Sequence, residues 1–225
     1  MISLLDNIIW PTLTGPHAQF ATGTGGARRY APGFSPIVGF ENIEHPDFDA
    51  LTPYCAPGEH FYTPGWSGAV PATWSLEMES TMFLMVGGSA MPTVEEDFEA
   101  VRLGLEHAAQ ALALATLTRP GPFGFRTIEL GEYFGYFEGE RLVAMAGERL
   151  FAGRYREISG VCTHPDFQGR GMARRLMNKL IVRQNQRQEI PFLHVMRANE
   201  DAHRFYERLG FRDDRETIVR VISPR

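Results

Sequence analysis

From residue 82 onward, apolar positions recur with periods that switch between strand and helix. Met82-Phe83-Leu84-Met85-Val86 is a short apolar run stopped by Gly87-Gly88, the pattern of a buried strand. Thr93-Val94-Glu95-Glu96 has capping-box spacing, and Phe98, Val101, Leu105, Ala109 and Leu112 follow at helical intervals. These predict a long helix from 93 through Leu117, ended by Pro120-Gly121-Pro122. Tyr133–Glu138 and Leu142–Glu148 read as a hairpin across Gly139-Glu140. A strand over 154–163, a helix over 171–186, a buried strand over 192–196, a helix over 200–209 and a strand over 216–222 complete the series. Met172, Ala173, Leu176, Met177, Leu180 and Ile181 share one face of the 171–186 helix, which marks that face as core. Strands alternating with helices predict an α/β fold.

Residues 1–80 carry no such rhythm. They hold nine prolines and nine glycines around short apolar runs such as Ile37-Val38-Gly39-Phe40. With Trp10, Trp66 and Trp74 present, they read as an ordered, loop-rich α+β region with a few short strands. Gly23-Thr24-Gly25-Gly26 lacks a following lysine and a preceding strand, and reads as a plain turn. Residues 1–80 thus differ in pattern from 81–225.

The segment from Glu157 to Ala173 carries the most chemistry. A strand ends at Thr163, His164-Pro165-Asp166 stops it, and Gln168-Gly169-Arg170-Gly171 leads into a helix. That order presents converging backbone N–H groups to an anion at the helix start, and glycines let the backbone come close. Arg170 and Arg174 add positive charge. The Walker pattern fails, because the chain's only lysine, Lys179, lies well inside the helix. A dinucleotide fingerprint fails too, since Arg174 stands where its third glycine belongs. The loop instead matches Gln/Arg-x-x-Gly-x-Gly/Ala, with Gln168, Gly171 and Ala173 in place.

That pattern, preceded by Val161-Cys162-Thr163-His164-Pro165, resembles the acyl-CoA-binding motif of the GNAT superfamily of N-acetyltransferases. A second motif lies about thirty residues on. Asn199-Glu200-Asp201-Ala202 through Tyr206 to Gly210-Phe211 resembles the superfamily's Asn-x-x-Ala-x-x-x-Tyr-x-x-x-Gly-Phe signature. Pro120-Gly121-Pro122-Phe123 with Arg126-Thr127, the run 142–149 and Ala27-Arg28-Arg29-Tyr30 are similar to a bacterial branch with a diverged N-terminal region before the acetyltransferase half. The resemblance implies a mixed, splayed central sheet flanked by helices. It makes residues 1–80 either a diverged half-copy or a lid narrowing the acceptor cleft. It implies acetyl-CoA as co-substrate and direct transfer of the acetyl group to a primary amine of a small molecule or to an amino-terminal group. Two other readings stay open: a longer acyl-CoA, or a non-catalytic acyl-CoA-binding or sensing module.

By the same resemblance, the backbone of Val161, Cys162 and Thr163 would hold pantetheine, with the Val161 N–H facing the thioester oxygen. Gln168, Gly169, Arg170, Gly171, Met172, Ala173 and Arg174 would hold the pyrophosphate, and Asn199 and Phe205 would complete the cofactor site. Glu157 stands where several members place a general base; partial burial would raise its pKa and water would relay the proton. Its plainer reading is an exposed carboxylate paired with Arg154 or Arg156. Tyr206 corresponds to the frequent general acid near the CoA sulfur, or else closes its helix on the core. Cys162 has no histidine partner in an obvious position and reads as a small buried hydrophobe. His194 reads as a core histidine or as one facing the acceptor, and Arg126 and Glu148 as acceptor-orienting or salt-bridge residues.

Composition changes this picture little. Of 225 residues, 44% are hydrophobic, and the net charge is −5. Residues 154–225 hold 15 basic against 9 acidic side chains, and residues 1–153 hold 7 against 18. The basic half is thus the half with the proposed CoA loop, and the acidic half suits a cationic amine. Neither charge balance nor motif points to nucleic acid. No His or Cys spacing suggests a metal, and no apolar run approaches a membrane span. Two cysteines and no signal-like N-terminus suggest a reduced, cytoplasmic protein, either monomer or homodimer.

Overall fold

A computed structural model describes residues 4–88, 91–92 and 99–225. A short 3-10 turn leads into α1 (Ile9–Thr14), followed by β1 (Ala21–Thr22), β2 (Ala27–Tyr30) and β3 (Val38–Phe40). These strands form a small antiparallel sheet in the order β1-β2-β3. After α2 (Phe48–Leu51) come β4 (Phe61–Pro64), β5 (Trp74–Gly87) and β6 (Val101–Arg102). The chain continues through α3 (Ala108–Thr118), β7 (Tyr133–Glu138), β8 (Arg141–Ala152), β9 (Tyr155–Thr163), α4 (Met172–Gln186), β10 (Ile190–Met196), α5 (Glu200–Arg208) and β11 (Phe211–Pro224). Among the described residues, the main sheet has eight strands in the order β4-β11-β5-β10-β9-β8-β7-β6. It is antiparallel except for β9 and β10, so the α/β fold with a mixed central sheet stands.

Side-chain alternation along β10 separates two cores, because successive residues of a strand face opposite sides. Leu193 and Val195 pack with Leu176, Met177, Leu180 and Ile181 of α4, each of which is fully buried. Phe192 faces the other way, onto Leu5, Ile8, Ile9 and Leu13 around α1 and onto Tyr30 and Ile37. Ala108, Ala111 and Leu114 of α3 cover Tyr133, Met145 and Cys162. A fourth cluster joins Phe40, Phe48, Phe61, Trp66 and Trp74 to Ile222 of β11, so the aromatic residues of the first part of the chain close on its last strand.

Several boundaries differ from the sequence reading. The 93–117 helix is reduced to α3, and its capping box at 93–96 lies outside the described residues. Val101 and Arg102 instead pair as a strand with Gly135 and Phe134, and Gly104 breaks the helical run before α3 begins. The strand expected at 82–86 extends from 74 to 87, and that at 216–222 from 211 to 224, because each pairs along the other. β11 pairs within the chain on both sides, with β5 and β4. The expected division at residue 80 falls inside β5. Gly23–Gly26 is a turn, closed by the Ala27 N–H donating to the Thr24 carbonyl.

The sheet opens in the middle. Among the described residues, β9 pairs with β10 only over Tyr155–Glu157 against Ile190–Phe192, leaving 158–163 without a ladder partner on that side. On its other side, β9 stays paired with β8 through Thr163. Register shifts between Met145 and Gly147, at Gly160 with φ +64°, where an extra residue bulges the strand and bends it.

Candidate active site

Gln168, Gly169, Arg170 and Gly171 form an exposed loop at the end of the opened strand. Gly169 and Gly171 both adopt left-handed φ, +76° and +74°, and a Cβ built on either meets nothing within 4 Å. The glycines are needed for conformation, and the space above them is free. The Arg175 N–H donates to the Gly171 carbonyl at 3.1 Å, and among the described residues the N–H groups of 169–174 find no backbone acceptor outside the helix. These are the orphan donors of a helix start, available to a phosphate. Arg170 lies 4.6 Å from the Phe167 ring, Arg174 is exposed, and Gln168 reaches the Thr163 carbonyl at 3.5 Å. Met172 packs on the α4 core and Ala173 is half-buried, so the loop holds the helix by one side and presents its N–H groups on the other. This geometry fits a pyrophosphate.

A cavity of about 340 Å³ lies in the opening of the sheet. Ile158, Gly160 and Val161 of β9 face it from one side, and Val195, Asn199 and Tyr206 from the other. The free edge of β9 therefore has room beside it for an extended chain with amide groups, as pantetheine is. Asn199 caps α5 by accepting from the Ala202 N–H at 3.2 Å while also lining the cavity, so its two sequence readings are compatible. The Tyr206 hydroxyl is pushed up to about 12, chiefly by burial and also by nearby Cys162, so it remains a donor throughout the working range. Phe205, 5.3 Å from the Tyr206 ring, packs against the α4 core. Cys162 points into the α3 cluster, and burial raises its thiol to about 11; its side chain is a packed hydrophobe.

Glu157 departs from both sequence readings. It is fully buried, and its partner is neither Arg154 nor Arg156 but Arg149 of β8. Arg149 Nε donates to Oε2 at 2.8 Å and a second nitrogen donates to Oε1 at 2.7 Å. His194 Nδ1 lies 2.8 Å from the same Oε1. Burial alone would raise the carboxyl, but Arg149 and His194 overcome it and hold Glu157 at about 2. The expected upward shift is reversed, because a bidentate guanidinium beside a carboxylate outweighs desolvation.

The sequence reading passed over Arg149, which lines the cavity with His194. Its signal was present: Glu148 and Arg149 are adjacent charges inside an apolar strand, facing opposite sides, and each required a buried partner. Glu148 has its own, Gln184 at 3.0 Å and Arg187, and Arg126 pairs with Glu129 at 2.7 Å; neither lines the cavity. The remaining walls come from Ile9, Ile37, Tyr62 and Met78, and from Arg119 to Pro122 after α3. A wider hollow of about 730 Å³ shares Tyr62, Arg119, Gly121 and Pro122 with the cavity and carries Glu59 and Glu77.

No helix among the described residues is long and apolar enough to cross a membrane. The family described as FR47-like protein matches residues 133–221. No curated protein matches the chain. A crystal structure described as an acetyltransferase of the GNAT family from Novosphingobium aromaticivorans is 30% identical, each chain covering 100% of the other, with a TM-score of 0.89. A GCN5-related N-acetyltransferase from Kribbella flavida shares the fold at 12% identity, covering 96% of this chain and 95% of that one, with a TM-score of 0.57. A GNAT-family acetyltransferase from Colwellia psychrerythraea does so at 13%, covering 99% and 98%, with a TM-score of 0.53. An opened sheet beside a glycine loop, a likeness that runs the whole length of the chain, and the match over 133–221 lead to one assignment: this chain belongs to the GNAT family of acyltransferases.

Proposed function

We propose that the protein is an N-acetyltransferase, which moves the acetyl group of acetyl-CoA directly to a primary amine of a small molecule or to an amino-terminal group. The observation that carries this reading is the continuity of two features. The free edge of β9 at 158–163 runs from the open glycine loop to a cavity holding Tyr206 and Asn199. A cofactor laid along that edge has its pyrophosphate at Gly169–Ala173 and its thioester beside Val161. An acceptor then enters from the side walled by Ile9, Tyr62 and Met78. Direct transfer suits the site, since its one cysteine is buried away from the cavity with a raised pKa.

Tyr206 supports the departing sulfur as a protonated donor, and the Val161 backbone supports the carbonyl oxygen as charge develops there. Calorimetric titration with acetyl-CoA, CoA and propionyl-CoA tests the reading, followed by a screen of primary amines and amino-terminal peptides for acetyl transfer. Binding that discriminates among acyl groups, with turnover of an amine, is the expected result. A folded protein that binds acyl-CoA and turns over no amine would instead be a sensing module.

A further inference from the structure

The buried ion cluster behind the cavity contains a histidine that acyl transfer, as described so far, leaves unused. His194 lines the cavity together with Tyr206 and Val161. Glu157, fully buried, has Oε1 and Oε2 both engaged by Arg149 and remains a carboxylate, which only accepts hydrogen bonds. At 2.8 Å from Oε1, His194 Nδ1 must therefore be the nitrogen that carries the proton. That leaves a lone pair on Nε2, which has no protein partner among the described residues. A carboxylate fixing one ring nitrogen so that the other is free is the arrangement of a general base and its orienting group.

We propose that His194 is the general base that deprotonates the acceptor ammonium and that Glu157 is its positioning residue, an inference resting on the acyl-transfer reading above. Glu157 cannot take that proton itself, since it is sealed from the cavity by its partners. The ammonium gives one proton to Nε2, and the freed nitrogen lone pair forms a bond to the thioester carbonyl carbon. The C–S bond breaks, and its electron pair leaves on sulfur, which takes the Tyr206 proton. The new amide nitrogen loses its second proton, which restores the phenol through water. The imidazolium returns its proton to solvent. Ammonium and thioester thus become amide, thiol and one released proton.

The charged and titratable groups around His194 come from every packed element. Glu157 belongs to β9, Arg149 to β8, Tyr206 to α5 and Arg119 to the turn after α3. On the other side, a smaller hollow holds Asp6 and Arg215, which pair with each other. Nitrogen-15 NMR of the histidine side chains, with His194→Gln for assignment, tests the arrangement without any acceptor. A neutral ring protonated at Nδ1 is expected, and one protonated at Nε2 would overturn the proposal. Kinetics with acetyl-CoA and the most reactive amine of the screen test the role. For His194→Gln, kcat/KM near neutral pH should fall about 100-fold with acetyl-CoA affinity unchanged. The deficit should shrink about tenfold per pH unit as the amine deprotonates unaided. Activity within threefold of the parent would overturn it.

For Glu157→Gln, nitrogen-15 NMR should show His194 no longer fixed as the Nδ1-protonated tautomer, because the amide that replaces the carboxylate can also donate to Nδ1. An unchanged tautomer with unchanged kcat/KM would remove Glu157 from the mechanism. Loss of acetyl-CoA binding by the parent protein would bring down acyl transfer and this proposal together. Full activity in His194→Gln would bring down the proposal alone.

Discussion

The two ends of the candidate site are built on opposite principles. At the proposed pyrophosphate end, Gly169 and Gly171 are exposed, their surroundings are empty, and the backbone donors wait for an external partner. At the proposed acceptor end, buried Glu157 and Arg149 bond to each other, and half-buried His194 commits one ring nitrogen to them. The first end recognises a ligand through peptide groups that any sequence could supply once the φ angles are right. The second depends on particular side chains held in particular rotamers. Affinity for a shared cofactor suits the former, and selection of one acceptor suits the latter.

Substitutions at each end should separate these principles. The largest effect should come from Arg149→Ala, which strands the Glu157 carboxylate in the interior and should cost about 3–5 kcal/mol. Thermal unfolding would register this as a fall of roughly 10 °C; a change of a degree or two would mean that Glu157 finds water. Next, Gly171→Glu should lower acetyl-CoA affinity at least about 100-fold while lowering the melting temperature by only a few degrees, since the charge acts where nothing else packs and the φ of +74° costs about 1–2 kcal/mol. Calorimetry and a melting curve on the same sample decide it. Tyr206→Phe should reduce kcat about tenfold with acetyl-CoA affinity intact, and normal turnover would confine the ring to packing. Gly169→Ala, which adds strain without charge, should weaken cofactor binding by about 1 kcal/mol.

Acid adds a fifth test. Glu157 is held at about 2 in the folded protein against an ordinary 4.5. Its contribution is therefore fully present above about 4.5 and is lost as pH falls toward 2. Chemical denaturation across that window should show stability declining with acid in the parent and a flatter slope in Glu157→Gln. Equal slopes would mean that other carboxylates dominate.

How much of this was legible follows from the same contrast. The glycine loop and the α5 cap at Asn199 are local: a few consecutive residues determine the turn, the cap and the free N–H groups, so their spacing could be read directly. The order of strands and helices from β7 onward was legible for the same reason, through periodicity. The cavity was not. Its walls come from Ile9, Tyr62, Met78, Arg119, Arg149 and His194, which only the long pairing of β5 with β11 and the packing of α1 on β8 bring together. Glu157 was given the wrong surroundings because its partner is set by strand pairing: Arg149, a charge inside an apolar run eight residues earlier, signalled that it needed a buried partner but not which one. The 93–117 helix misled because Val101 and Leu105 fit a helical period, while Gly104 and the edge of β7 decided otherwise.

The position of β11 has a consequence for how the molecule comes into being. Among the described residues, β4 has no partner in the main sheet except β11, and β5 lies between β11 and β10. During synthesis, β10 can pair with residues 82–86, but β4 and the other edge of β5 stay open beside an unfinished aromatic cluster until residues 211–224 arrive to fill the gap. Such long-range closure makes for slow folding and a period of exposure to aggregation. A nascent chain of this protein stays vulnerable until β11 has emerged.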